Sequence, residues 1–261
     1  MNNTLHRIII SLFFIVVMIC FFTLIYVGES FYKLPIEERY FHPYYELLKP
    51  SGPVGHGLGI LGSSLIVLGI FGYMARKRLK IFSGIGVLKY WLEFHIFLCT
   101  LGSVLVLFHT SFKFGGIISV GFWSLAIVWV SGVIGRYIYL QIPRTIEGRE
   151  LSLHELQDLK DQLDIELYNK YNIDFSSIKS TRFSLIKLQL LSNNISKNDF
   201  LKVKLLIRKQ KRLLSRIKRL DKMKKLFKYW HVAHLPFALI MLIIMLIHIA
   251  VVLYFGYKWI F

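Results

Sequence analysis

Four histidines carry the chemistry legible in this chain. His95 and His109 lie fourteen residues apart in WLEFHIFLCTLGSVLVLFHTSF (91–112), and His234 and His248 lie fourteen apart in WHVAHLPFALIMLIIMLIHIAVVLYF (230–255). A helix turns about 100° and rises about 1.5 Å per residue, so that interval returns to within about 40° of the same face and climbs about 21 Å. Each apolar stretch therefore presents two imidazoles on one face, one near each side of a membrane. If the two helices run the same way, His95 is level with His234 and His109 with His248, which makes two bis-histidine sites. Neutral imidazole ligates iron, zinc and copper. Two trans imidazoles without a neighbouring carboxylate or thiolate suit six-coordinate haem, where the porphyrin supplies the other four nitrogens. A lone membrane histidine is often only a helix–helix hydrogen bond, but four at one repeated interval are hard to assign to packing.

Other residues take roles around those four. Gly102 is seven residues from each histidine of its stretch and offers space for a haem edge. His231, one turn before His234, is an alternative ligand, and Pro236 bends or starts the helix there. His248 lies deeper in its apolar run than His109, so one helix must tilt or slide for the two to meet. Arg136 and Arg144 near one end of SGVIGRYIYLQIPR (131–144), and Lys113 at the other side of the membrane, are candidate partners for haem propionates. Snorkelling to lipid headgroups is the competing reading for the arginines. His56 is a candidate quinone contact or outer haem partner, with an interfacial hydrogen bond as the plain alternative. Glu93, two residues from His95, points elsewhere on its helix. His6, His42 and His154 fall in exposed segments.

The elements that must position these groups are membrane helices. Of the 261 residues, 55% are hydrophobic, and several apolar runs reach the roughly 18 or more residues that cross a bilayer. Five spans are expected: 8–27, 55–73, 91–112, 117–139 and 232–254. The fold class is all-α, an integral membrane bundle of five transmembrane helices with a cytoplasmic helical hairpin. Its segments are an N-terminal membrane helix (1–27), an outer aromatic loop (28–54), helices two to four (55–144), the basic hairpin (145–230) and a last haem-binding helix (231–261). The first apolar run is too long for a signal peptide and lacks a small-x-small site, so it is read as a retained helix.

Thirty-three Lys and Arg against fifteen Asp and Glu give a formal net charge of +18. Most of that excess lies in one loop, as the positive-inside rule requires, so nucleic-acid binding is not expected. MARKRLK (74–80) places the end of the second helix in the cytoplasm. The N-terminus and residues 145–230 then lie inside, and residues 29–53, the turn at Lys113 and the C-terminus lie outside. Tyr90, Trp91, Tyr229, Trp230, Tyr257 and Trp259 sit where interfacial aromatics belong. Cys20 and Cys99 form no CxxC pair, and CxxCH is absent, so any haem is held non-covalently.

In the basic loop, Ser152 and Glu155 make a capping box ahead of Leu156, Leu159, Leu163 and Leu167. Ser196 and Asp199 make a weaker one. Leu206, Leu213, Leu220 and Phe227 then recur every seven residues, a coiled-coil-like seam running straight into the fifth span. Gly55, Gly59 and Gly62 share one face of the second helix and are read as a close-packing stripe.

At its paired histidines the chain resembles the di-haem b-type membrane cytochromes, the group of cytochrome b, cytochrome b561 and ferric-reductase-like proteins. WLEFHIFLCTLGSVLVLFHTSFKFGG followed by SGVIGRYIYLQIPR looks most like bacterial cytochrome b subunits that accompany periplasmic multihaem c-type proteins. The resemblance covers roughly 54–144 and 230–256. It implies two haems b on His95, His109, His234 and His248, a place in the bacterial inner membrane, and a link between the quinone pool and an outer redox partner. No G-x-G-x-x-G strand–helix unit is present, so the electron donor is expected to be separate, a membrane quinol or another subunit. A stand-alone ferric or metal reductase is the second redox reading. A non-redox transporter or scaffold is the third, and the low charge of the helix middles speaks against ion transport.

Overall fold

The computed structural model describes residues 3–82, 84–141, 153–171 and 197–255. Ser152, Ser196, Arg144, Tyr257 and Trp259 lie outside these residues, as does the side chain of Leu167. The elements in order are α1 (Asn3–Tyr32), a 3-10 turn (Glu38–Phe41), α2 (Tyr45–Leu48), α3 (Pro53–Arg78), a 3-10 turn (Lys80–Phe82), α4 (Leu88–His109), α5 (Gly116–Leu140), α6 (Leu153–Tyr171) and α7 (Lys197–Tyr254). The fold is all-α. Five of these helices are long and apolar enough to cross a membrane. The chain divides into two compact units, residues 1–133 with 232–261, and residues 134–231.

In the first unit the closest packing joins α3 to α4. A methyl group at Gly102 would stand 2.6 Å from the Gly62 carbonyl oxygen, and one at Gly62 would stand 2.9 Å from that of Gly102. Small residues at such a crossing let two backbones touch, the main source of helix association once lipid has removed the hydrophobic drive. Gly69 continues the contact, 3.1 Å from Cys99 Sγ at its absent Cβ. Gly57, Gly59 and Gly62 have the literal G-x-G-x-x-G spacing, but they lie wholly inside α3 and not at a strand–helix junction. Ile66 of α3, Leu125 of α5 and Met241 of α7 form the buried centre, with Ile70, Val106 and Met245 packed on it. Much of the remaining apolar surface faces outward: Ile8, Leu12, Phe14, Ile15 and Ile19 of α1 are all exposed. Lipid-facing side chains look like this, because the helix has already satisfied its own backbone.

Helix ends have local causes. α3 starts with Pro53 directly after Gly52, where the missing N–H costs nothing. It closes on Arg76, Lys77 and Arg78, which suit the negative end of the helix dipole. α4 ends at His109 and not Phe112, because Ser111 and Phe112 turn left-handed, with φ of 46° and 58°.

The second unit contains the expected hairpin. Leu156 and Leu163 of α6 pack on Leu213 and Leu220 of α7, joined by Leu206, Ile217 and Met223. The pairing is antiparallel, with Gln210 bonded to Asp164. Phe227, last of the heptad positions, packs instead on Tyr139, Trp230 and His231. Leu159, expected on the buried face, is 47% exposed. Three residues turn a helix about 300°, so it falls at the edge of the stripe that Leu156 and Leu163 define. Lys160 bonds Asp164 (2.7 Å) and Asp161 (2.9 Å). The Asp164 bond, then the Asp161 bond, holds its ammonium above the ordinary lysine range.

Candidate functional site

The structure brings His109 and His248 together. Their ring centres lie 6.4 Å apart at an interplanar angle of 53°. Both line a cavity of about 320 Å³ among α3, α4, α5 and α7, whose walls also include His56, Gly59, Lys113 and Met245. Gly59 has a direct reason to be glycine there, since a Cβ would sit 2.7 Å from His109 Nδ1.

Hydrogen bonds at Nδ1 orient three of the four rings. His109 Nδ1 lies 2.8 Å from the Gly55 carbonyl oxygen, and His95 Nδ1 lies 2.9 Å from that of Gly69. A carbonyl only accepts, so in the neutral ring each Nδ1 carries the proton and each Nε2 keeps its lone pair. His234 Nδ1 is 2.6 Å from Ser131 Oγ, and that hydroxyl is 2.9 Å from the Val128 carbonyl. With the hydroxyl donating to Val128, Ser131 accepts from His234 Nδ1. Metal-ligating histidines are held in this manner, with the non-ligating N–H anchored to a carbonyl or other acceptor. Gly55 and Gly69 are themselves fourteen residues apart on α3, so the histidine interval recurs in the carbonyls that orient two of the rings.

His95 has Cys99 Sγ 3.6 Å from its Nδ1 and the Tyr73 ring 5.5 Å away. His231 is exposed and packs edge-on against Phe227 and Trp230, whereas His234 is half-buried on Ser131. Gly102, expected beside a porphyrin edge, faces α3, with Gly62 and Ile66 in the space a side chain would need. The α3–α4 contact is what requires that glycine. Arg136, four residues before the end of α5, lies with its guanidinium 5.9 Å from the Tyr139 ring centre. Lys113 lines the His109–His248 cavity, and His56 does so from the first turn of α3.

Two features were missed in the sequence. His6, expected in an exposed segment, is largely enclosed, with its Nε2 3.6 Å from Glu93 Oε1 and 3.1 Å from Lys89 Nζ. Glu93 faces α1, away from the His95 side, as its offset of two residues implies. Arg39 is buried and holds three backbone carbonyls. Nothing in the pattern of the loop separates that arginine from a surface cation.

Among the described residues no group of three His, Cys, Asp or Glu is placed to hold a metal ion. No family model, curated protein or solved structure matches the chain.

Proposed function

We propose that this is a di-haem cytochrome b membrane subunit, carrying electrons across the bilayer between the quinone pool and a redox partner on the outer face. The observation that carries the reading is the meeting of His109 and His248 on one cavity. His109 and His248 would hold the haem between them, from ring centres 6.4 Å apart. The donor set would be the imidazoles of His109 and His248, with His56 on the same cavity wall. An apolar cavity suits an apolar macrocycle, with Lys113 and His56 as polar wall groups for its carboxylates. His95 and His234, one on each of the same two helices, are the ligands proposed for the second haem, with Cys99 Sγ beside the His95 ring.

Haem iron, when bound, accepts and passes on one electron at a time. The chain's own residues do the rest. Gly55, Gly69 and Ser131 hold the rings in the tautomer that ligates. The rise of α4 itself sets His95 and His109 about 21 Å apart along the helix. The apolar walls exclude water and so set the potential. In the proposed orientation, residues 145–230 face the cytoplasm of a bacterial inner membrane and the C-terminus lies outside, with quinol as electron donor or acceptor. The purified protein tests this directly. A reduced-minus-oxidised spectrum with two b-type haems per chain is expected, and a colourless protein refutes it.

A further inference from the structure

The segment between α1 and α3 is more tightly held than a connector requires. Arg39 donates to the carbonyls of Leu34 (2.9 Å), Tyr32 (2.9 Å) and Ser111 (2.5 Å), and its guanidinium lies 5.4 Å from the Phe31 ring centre. Ser111 Oγ in turn donates to Leu48 O at 2.8 Å. The loop is therefore lashed to the turn that follows His109. In that turn two non-glycine residues adopt left-handed φ, a conformation that persists only where the surroundings over-determine it. Burying an arginine is costly unless its donors are met. Here they are met by backbone, and the return is a rigid loop.

The outer surface of this loop is aromatic and negative. Tyr40, Phe41 and Tyr44 are 67%, 83% and 51% exposed. Glu29 pairs with Lys33 and Glu46 with Lys49, each at 2.5 Å, and Arg39 is buried. Glu37 and Glu38 are exposed and stand in no ion pair among the described residues. In a chain of net charge +18, this loop thus presents uncompensated acid beside large apolar rings.

We infer that this face is the docking surface for a soluble protein with a lysine- or arginine-rich patch. The sign of the charge selects the partner, and complementary charge speeds and orients encounter. Exposed aromatics supply the anchors that dominate protein interfaces. A loop already ordered pays little further entropy on binding. A lipid surface fits worse, because membrane-surface segments carry cations toward anionic headgroups and Glu37 and Glu38 have the opposite sign. The inference rests on the proposed function only for the partner's purpose, which is to exchange electrons at the His109–His248 level.

The test uses the full chain in phosphatidylcholine nanodiscs and a lysine-rich soluble c-type cytochrome as probe. At low ionic strength the double variant Glu37→Lys/Glu38→Lys is expected to weaken binding about tenfold or more, with the difference shrinking as salt rises. Phe41→Ala is expected to weaken it several-fold at both salt levels. Equal affinity in all three proteins overturns the inference. Quenching of a Phe41→Trp variant by brominated lipid, above that of the parent protein, also overturns it and assigns the patch to the bilayer. Binding does not need haem in this chain. Haem absent with binding intact refutes the cytochrome reading alone, and haem present with unaltered binding in the variants refutes the docking surface alone.

Discussion

A histidine ligates through a nitrogen that its other nitrogen has been persuaded to leave bare. His95, His109 and His234 each have Nδ1 on an acceptor, two of them backbone carbonyls and one a serine hydroxyl. The spacing of the imidazoles was legible in the sequence, because side chains carry it. Their anchors were not, since a carbonyl oxygen has no residue type, and only the glycine interval on α3 hinted at them. Removing an anchor of this kind typically costs 10–100-fold in metal affinity. Ser131→Ala is therefore expected to weaken retention of the haem proposed for His234 by about 10–100-fold, read as haem lost during exhaustive dialysis, while the haem proposed for His109 and His248 stays. His248→Ala should remove the haem shared with His109 and leave one per chain. Unchanged haem content in either variant would contradict the assignment. Gly102 is the corrected residue: its empty space faces Gly62, which no count along a single helix reveals.

Between helices, close approach and heptad spacing set the outcome. With 2.6 Å between a Gly102 Cβ and the Gly62 carbonyl, Gly102→Ala must push two backbones apart. Overpacking of this type costs about 1–3 kcal/mol, so a lower midpoint of denaturation in detergent is expected, together with a disturbed His95 or His109 signature. The hairpin behaves differently. Leu220 is fully buried against α6, and Leu220→Ala is expected to cost about 2–5 kcal/mol of stability in that unit while haem content stays unchanged. Proteolysis of the 145–230 region against an intact haem spectrum would separate the two. The five spans and the seam at Leu206, Leu213 and Leu220 could be read in advance because apolar periodicity dominates them. The end of α4 could not, since the left-handed Ser111 and Phe112 are set by Arg39 and Leu48, distant in sequence.

At the scale of the whole molecule, the segregation of charge is the main feature beyond the helices themselves. The cations concentrate in residues 145–230 and at Arg76–Arg78, and the paired or buried charges of the α1–α3 loop leave it slightly acidic. By the positive-inside rule, protease added to intact spheroplasts should spare 145–230, and opening them should expose it to cleavage. The opposite pattern would invert the proposed direction of the chain. The fold class followed from hydropathy alone, whereas the four-histidine reading needs two pairs drawn from helices distant in sequence, of which His109 and His248 have ring centres 6.4 Å apart. The most direct measurement is haem per chain in the purified protein, recorded with its reduced-minus-oxidised spectrum. Two b-type haems, falling to one in His248→Ala, is the predicted result; a protein that binds no haem, or one whose haem is indifferent to all four histidines, would contradict the account.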